Sequence, residues 1–181
     1  WRKALGLQIC MREAWRRLSS PLLTPRDSKN YFRYLHRSMR TRNLVPPDTA
    51  NEARPADEAH TCRVCKVEKE RFSHISSCYE IQRVFGFFIA LASKLGVTLQ
   101  GSRLLYDMGM VTEDKALHGA LSALHVIIWK FIIIDFVQVD TDGRAFVAAD
   151  VWKSAVRRTH GRLLAQSQKV RRKVLAAWDM G

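Results

Sequence analysis

The sequence predicts a mainly α-helical fold, in which a small cysteine-rich knuckle leads into a helical bundle with basic helical extensions at its N- and C-terminal ends. Three observations predict it. Apolar residues recur at helical spacing over several long stretches, three of the four cysteines fall between Cys62 and Cys78, and the positive charge is concentrated at the two ends. The chain has 181 residues, 47% of them hydrophobic and 26% charged, which is the composition of a globular domain. Its formal charge of +13 divides as +9 over residues 1–45, −3 over 46–150 and +7 over 151–181. Basic ends around a nearly neutral, apolar body fit a folded core with polyanion-binding extensions. A nucleic acid or an anionic surface is therefore the expected partner class, and a small-molecule substrate is not.

Residues 1–45 form the basic N-terminal extension. Leu5, Ile9, Trp15 and Leu18 lie among Arg2, Lys3, Arg12, Arg16 and Arg17 as a basic amphipathic helix, which Ser19, Ser20 and Pro21 stop. Cys10 on this helix is expected to be a buried apolar side chain. A second helix, capped by Asp27 or Ser28, carries Tyr31, Phe32, Leu35 and Met39 interleaved with Arg33, Arg37, Arg40 and Arg42. Guanidinium groups hold phosphates while rings stack on bases, so the interleaving fits a nucleic-acid surface. A core stripe with a solvated arginine face has the same pattern, and both readings stay open. The chain begins at Trp1, which leaves a processed or incomplete amino terminus as the expectation.

Residues 46–60, with Pro46, Pro47 and Pro55 and few apolar side chains, read as a linker. The body spans residues 61–150. Tyr79 to Gly96 reads as a helix apolar nearly all round and hence buried, with Gly96 as its stop. Residues 97–118 read as a less regular connection, and Ala120 to Val137 as a second buried helix. That second stretch is the most apolar in the chain, yet His125, Lys130 and Asp135 recur within it. Each costs up to about 3 kcal/mol at mid-bilayer, so a core helix is expected and not a membrane span. Asp140, Asp142 and Gly143 resemble part of a calcium loop, but Gln138 and Ala149 stand where its first and last acidic ligands belong, so a plain turn is expected.

Residues 151–181 form the C-terminal extension, a long basic helix capped by Asp150 and running from Val151 to about Trp178. Trp152, Val156, Leu163, Val170 and Val174 make its apolar stripe. Arg157, Arg158, Arg171, Arg172 and Lys173 on its other faces are candidate phosphate contacts.

The chemistry-bearing motif is Cys62-x2-Cys65-x8-His74-x3-Cys78. A C-x2-C knuckle turns two thiolates toward one point, and a His and a Cys four apart lie on one face of a helical turn. Zinc takes four such ligands in a tetrahedron. The expected cofactor is therefore one structural Zn2+ on Cys62, Cys65, His74 and Cys78, with His60 a less suitable alternative because it stands only two residues before Cys62. Lys66 to Arg71 between the ligand pairs reads as a solvated loop.

This segment resembles the zinc-binding region downstream of the reverse transcriptase in non-LTR retrotransposons. The resemblance rests on Cys62, Cys65, Glu70, His74 and Cys78, and more loosely on the later helix with Trp129 and the basic tail after Trp152. Many members of that family have His-x4-Cys followed by Pro, where this chain has His-x3-Cys followed by Tyr79. The resemblance implies nucleic-acid-associated ancestry without polymerase or nuclease activity.

No nucleotide-binding glycine loop, no G-x-S-x-G nucleophile elbow and no H-E-x-x-H helix occurs in the sequence. Asp107 and Asp135 read as isolated acids. The expectation is a non-enzymatic, zinc-stabilised RNA-binding component of a large ribonucleoprotein, with a mitochondrial ribosome as the best-motivated host and neighbouring subunits and rRNA as partners. The zinc region of a retrotransposon reverse-transcriptase protein is the alternative.

Overall fold

The structure, a computed structural model, describes residue 18 and residues 20–35, 61–99, 110–111 and 114–165. It is mainly helical, as the sequence predicts. In chain order the elements are α1 (Pro25–Leu35), α2 (Phe72–Ser77), α3 (Tyr79–Lys94), β1 (Thr98–Leu99), β2 (Met110–Val111), α4 (Lys115–Asp142) and α5 (Ala148–Leu164). The expected helix before Leu18, the linker at 46–60 and the chain beyond Ala165 lie outside the described residues.

Helix α1 begins about one turn earlier than a cap at Asp27 or Ser28 would place it. Thr24 stands at the cap, and Pro25, whose missing N–H and fixed φ suit a first helical position, follows it. Asp27 is not the cap: from the third helical position its Oδ2 accepts hydrogen bonds from Thr24 N at 2.9 Å and Thr24 Oγ1 at 2.6 Å. Ser28 is turned the other way, and its Oγ donates to Leu18 O at 3.0 Å.

Cys78 joins α2 to α3, closing the first helix with its N–H on His74 O at 2.6 Å and opening the second by accepting from Gln82 N at 2.9 Å. Along α3, Ile81, Val84, Phe85, Phe88, Leu91 and Ala92 are buried. Burial is not all round, however: Phe87 and Ile89 lie on an exposed face, Phe87 against the Trp152 ring at 6.1 Å. Gly96 ends the helix as expected. At φ 69° it takes the left-handed conformation, so that Gly96 N donates to Ser93 O and Val97 N to Ala92 O.

The connection that follows contains a short antiparallel ribbon, Thr98 opposite Val111 and Leu99 opposite Met110. Pairs this short leave no alternating pattern to read in the sequence. Helix α4 is longer at both ends than Ala120 to Val137. Asp114 caps it, accepting from Ala116 N at 3.0 Å and Leu117 N at 3.2 Å, and Gly143 at φ 64° stops it. Asp140 and Asp142 therefore belong to the last helical turn, and Gly143 supplies the turn the sequence predicts. Helix α5 starts at Ala148, with Asp150 in its first turn and not at its cap, where its charge still faces the positive end of the helix dipole.

Every residue from Ala120 to Lys130 is buried, so α4 is the axis of the bundle. It packs chiefly against α5 and α1, while α3 packs on α5, α2 and α4. Tyr31, Phe85, Trp129, Val151 and Ala155 belong to one core, and Cys62, Cys65 and Cys78 belong to it as well. The stretch Lys115–Val139 is long and apolar enough to cross a bilayer by length and composition. In this fold 72% of its most apolar window is buried among the other helices.

Candidate metal centre

The knuckle is built by backbone hydrogen bonds before any ligand is considered. Thr61 pairs with Lys69 in an antiparallel bridge, Cys62 N donates to Glu68 O at 2.6 Å, and Lys66 N donates to Cys62 O at 2.9 Å. Lys66 takes φ 58°, the left-handed turn that reverses the chain directly after Cys65. The hairpin thus presents Cys62 and Cys65 side by side. Helix α2 brings His74 to them, and Cys78 follows one turn later. The four donor atoms all lie within 4.8 Å of one another and all four side chains are buried. A tetrahedron with bonds of about 2.3 Å has edges of about 3.8 Å, so the cluster is close enough to hold a metal ion, and its three sulfurs and one imidazole are compatible with zinc.

The ring orientation of His74 is set on both sides. Its Nε2 lies 3.3 Å from Cys65 Sγ and its Nδ1 lies 2.9 Å from Glu68 Oε2. A carboxylate on one imidazole nitrogen fixes the tautomer that leaves the other free to bind a cation. The thiols of Cys62 and Cys78 are shifted in opposite directions by one shared proton. A hydrogen bond from the Cys78 thiol, opposed by burial and aided by the backbone N–H groups of Cys65 and Val64, pushes Cys62 down to about 5. Cys78 is pushed up by that same shared proton and by burial. A cation that replaces the shared proton relieves both.

Behind the ligands, Glu70 and Arg63 form a buried fork. Arg63 Nε donates to Glu70 Oε2 and its second terminal nitrogen to Oε1, each at 2.7 Å, while Arg63 N also donates to Oε2 at 3.1 Å. The remaining terminal nitrogen reaches Phe136 O at 3.3 Å, and the guanidinium lies over the Phe136 ring. The knuckle is thereby fastened to α4. Lys66, Glu68, Lys69 and Arg71 are exposed, as expected for a solvated loop, whereas Glu70 is fully buried.

The other candidate residues divide. Arg33, Arg157 and Arg158 are exposed on α1 and α5. Arg37, Arg40, Arg42, Arg171, Arg172 and Lys173 lie outside the described residues, as do Cys10, His60 and Asp107. Asp135 does not stand alone: with Gln138, Arg144, Asp150 and Ser154 it lines a cavity of about 190 Å³ between α4 and α5. Burial pushes its carboxyl up, Asp150 adds to the rise and Arg144 opposes it. His125 packs among the rings of Tyr31, Phe85 and Phe88, with centroids at 5.5 to 6.0 Å.

Sequence reasoning missed Glu68 beside His74 and the charged node around Asp27. In that node the buried Asp27 carboxylate meets Lys130 Nζ at 2.5 Å, Arg162 at 2.5 Å and Arg158 Nε at 3.9 Å. Arg162 also donates to Leu22 O at 2.7 Å. Burial acts to raise the Asp27 carboxyl, but the hydrogen bonds from Lys130, Thr24 and Arg162 outweigh it and hold the group well below the usual carboxylate range.

No protein family, no curated protein and no solved structure matches this chain.

Proposed function

We propose that this chain is a non-catalytic, zinc-stabilised RNA-binding component of a large ribonucleoprotein, with a mitochondrial ribosome as its host. The observation that carries the reading is the buried Cys62, Cys65, His74 and Cys78 set, sharing one core with the helices. Four protein donors complete a tetrahedron and leave no position for a reacting water, so a zinc there holds the fold together and activates nothing. The charge supports the partner. The chain carries +13, and Arg26, Lys29, Lys153 and Arg157 are exposed and have no ion-pair partner among the described residues. Cations placed in this way neutralise packed phosphates in an assembled particle. Burial of α4 among α1, α3 and α5 supports a core helix over a membrane span.

The Glu70–Arg63 fork favours a second reading, the zinc region of a retrotransposon reverse-transcriptase protein. Glu70 is one of the residues that carry that resemblance, and burying it as the brace of the knuckle gives that position a structural task. The experiment that tests the first reading is co-sedimentation of the native protein with mitochondrial ribosomal particles through a sucrose gradient. Comigration that resists washing is expected. Absence from every ribonucleoprotein fraction overturns the assignment, and a reverse-transcriptase sequence flanking this one in the same gene selects the second reading.

A further inference from the structure

The composition places positive charge at opposite ends of the chain, but the fold brings described parts of both ends to one point. Asp27 of α1 is the meeting place, with two of its three cationic partners, Arg158 and Arg162, coming from α5. Leu22, just ahead of α1, belongs to one apolar cluster with Leu163 of α5. The node is unbalanced: Lys130, Arg158 and Arg162 set three positive charges against one carboxylate. Lys130 and Asp27 are buried, but the Arg158 side chain is 42% exposed, so the surplus charge reaches the surface at the seam between α1 and α5.

Exposed cations stand on the solvent-facing sides of both helices that meet at Asp27. Arg26 adjoins Asp27 in the chain, and Lys29 and Arg33 follow it at i+3 and i+7, on the face of α1 turned away from the buried Asp27 and Tyr31. On α5, Arg157 adjoins Arg158 and is exposed. Arg26, Lys29 and Arg157 make no ion pair with any described residue. The only acid of α1 is Asp27, which is turned inward. Nothing on α1 therefore screens these cations from an approaching anion.

We propose that α1 and α5, joined at Asp27, form one composite face that binds the sugar–phosphate backbone of single-stranded RNA through Arg26, Lys29, Arg157 and Arg158. This rests on the RNA-binding reading above and changes its geometry from two independent basic arms to a single surface held in register by the node. Flexible phosphates meeting fixed cations on two helices bind in one short footprint, of the order of 4 to 16 nucleotides for a compact site.

The test uses the full chain loaded with zinc and an oligouridylate of about 12 nucleotides, with affinity measured by fluorescence anisotropy at several salt concentrations. Each phosphate contact on a single strand contributes about −0.7 to the slope of log K against log salt. The pair Arg26→Gln/Lys29→Gln and the pair Arg157→Gln/Arg158→Gln are each expected to make the slope shallower by about 1.4, and the quadruple variant by about 2.8. If Arg158→Gln disturbs the fold through Asp27, Arg26→Gln and Arg157→Gln alone decide, at about 0.7 each.

A change confined to one helix overturns the composite face. A steep slope that none of these variants alters also overturns it, and leaves RNA binding itself standing through other residues. Failure of the wild-type chain to bind the RNA, or its preference for phosphatidylserine vesicles, overturns the RNA-binding reading and this inference with it.

Discussion

Lys130 Nζ lies 2.5 Å from Asp27 Oδ1 although 103 residues separate the two in sequence, and both side chains are buried. One end of this pair is at the middle of the axial helix α4, the other in the first turn of α1. Taking two charges out of water is costly, and the pair persists because Thr24 and Arg162 satisfy the remaining carboxylate positions.

Removing one partner should therefore cost far more than removing both. Asp27→Ala leaves Lys130 buried without its counter-charge and should destabilise the fold by about 3–5 kcal/mol in urea denaturation. The double variant Asp27→Leu/Lys130→Met should recover most of that loss. Equal destabilisation of the single and double variants would show that the pair is not the unit of stability.

The same carboxylate sets an acid limit. Its folded pKa lies below the ordinary value of 3.8, so its stabilising contribution is fully present above that pH and is lost as pH falls through the folded pKa. The stability difference between wild type and Asp27→Asn should be flat from neutrality down to about pH 4 and shrink below it. A difference that is already falling at pH 6 would contradict the assignment.

Asp135 should behave with the opposite sign. Burial and Asp150 raise its carboxyl, so the charged form at neutral pH opposes folding, and stability is gained as pH falls through its folded pKa. Asp135→Asn is expected to raise the melting temperature at pH 7, and the gain should fade as the solution is acidified through the raised folded pKa and be gone by the ordinary carboxylate value of 3.8. A lower melting temperature at pH 7 would show that the carboxylate is held by an interaction stronger than its desolvation.

Glu68 supports the metal through His74 without touching it. Glu68→Ala should weaken zinc affinity by about tenfold in a chelator competition, the low end for such partners because Glu68 is exposed. By linkage the zinc-saturated protein should lose about 1.4 kcal/mol of stability in step with the affinity, and the zinc content at saturation should stay at one equivalent. Unchanged affinity would mean that the 2.9 Å contact does not orient the ring.

The ligand set was legible because zinc imposes a local spacing: Cys62 with Cys65, and His74 with Cys78, are each a few residues apart. The stop at Gly96 and the buried course of α4 follow from equally local rules, a left-handed cap and a run of apolar side chains. What stayed hidden depends on distant partners. Asp27 reads as an ordinary helix cap until Lys130, Arg158 and Arg162 arrive from α4 and α5. Glu70 reads as one more charge in a solvated loop, because only the folded hairpin places it on Arg63. Asp135 and Asp150 are brought to one cavity by the turn at Gly143, a consequence of helix packing and not of spacing.

The central claim is that Cys62, Cys65, His74 and Cys78 hold one structural zinc on which the fold depends. It is tested most directly by elemental analysis of the purified full chain, wild type beside Cys65→Ala. One equivalent of zinc is expected in the wild type, with loss of the metal in the variant and unfolding of residues 61–78, since structural zinc contributes an apparent ~10–16 kcal/mol. Less than about half an equivalent in the wild type, or a Cys65→Ala chain that keeps both its metal and its fold, would contradict it.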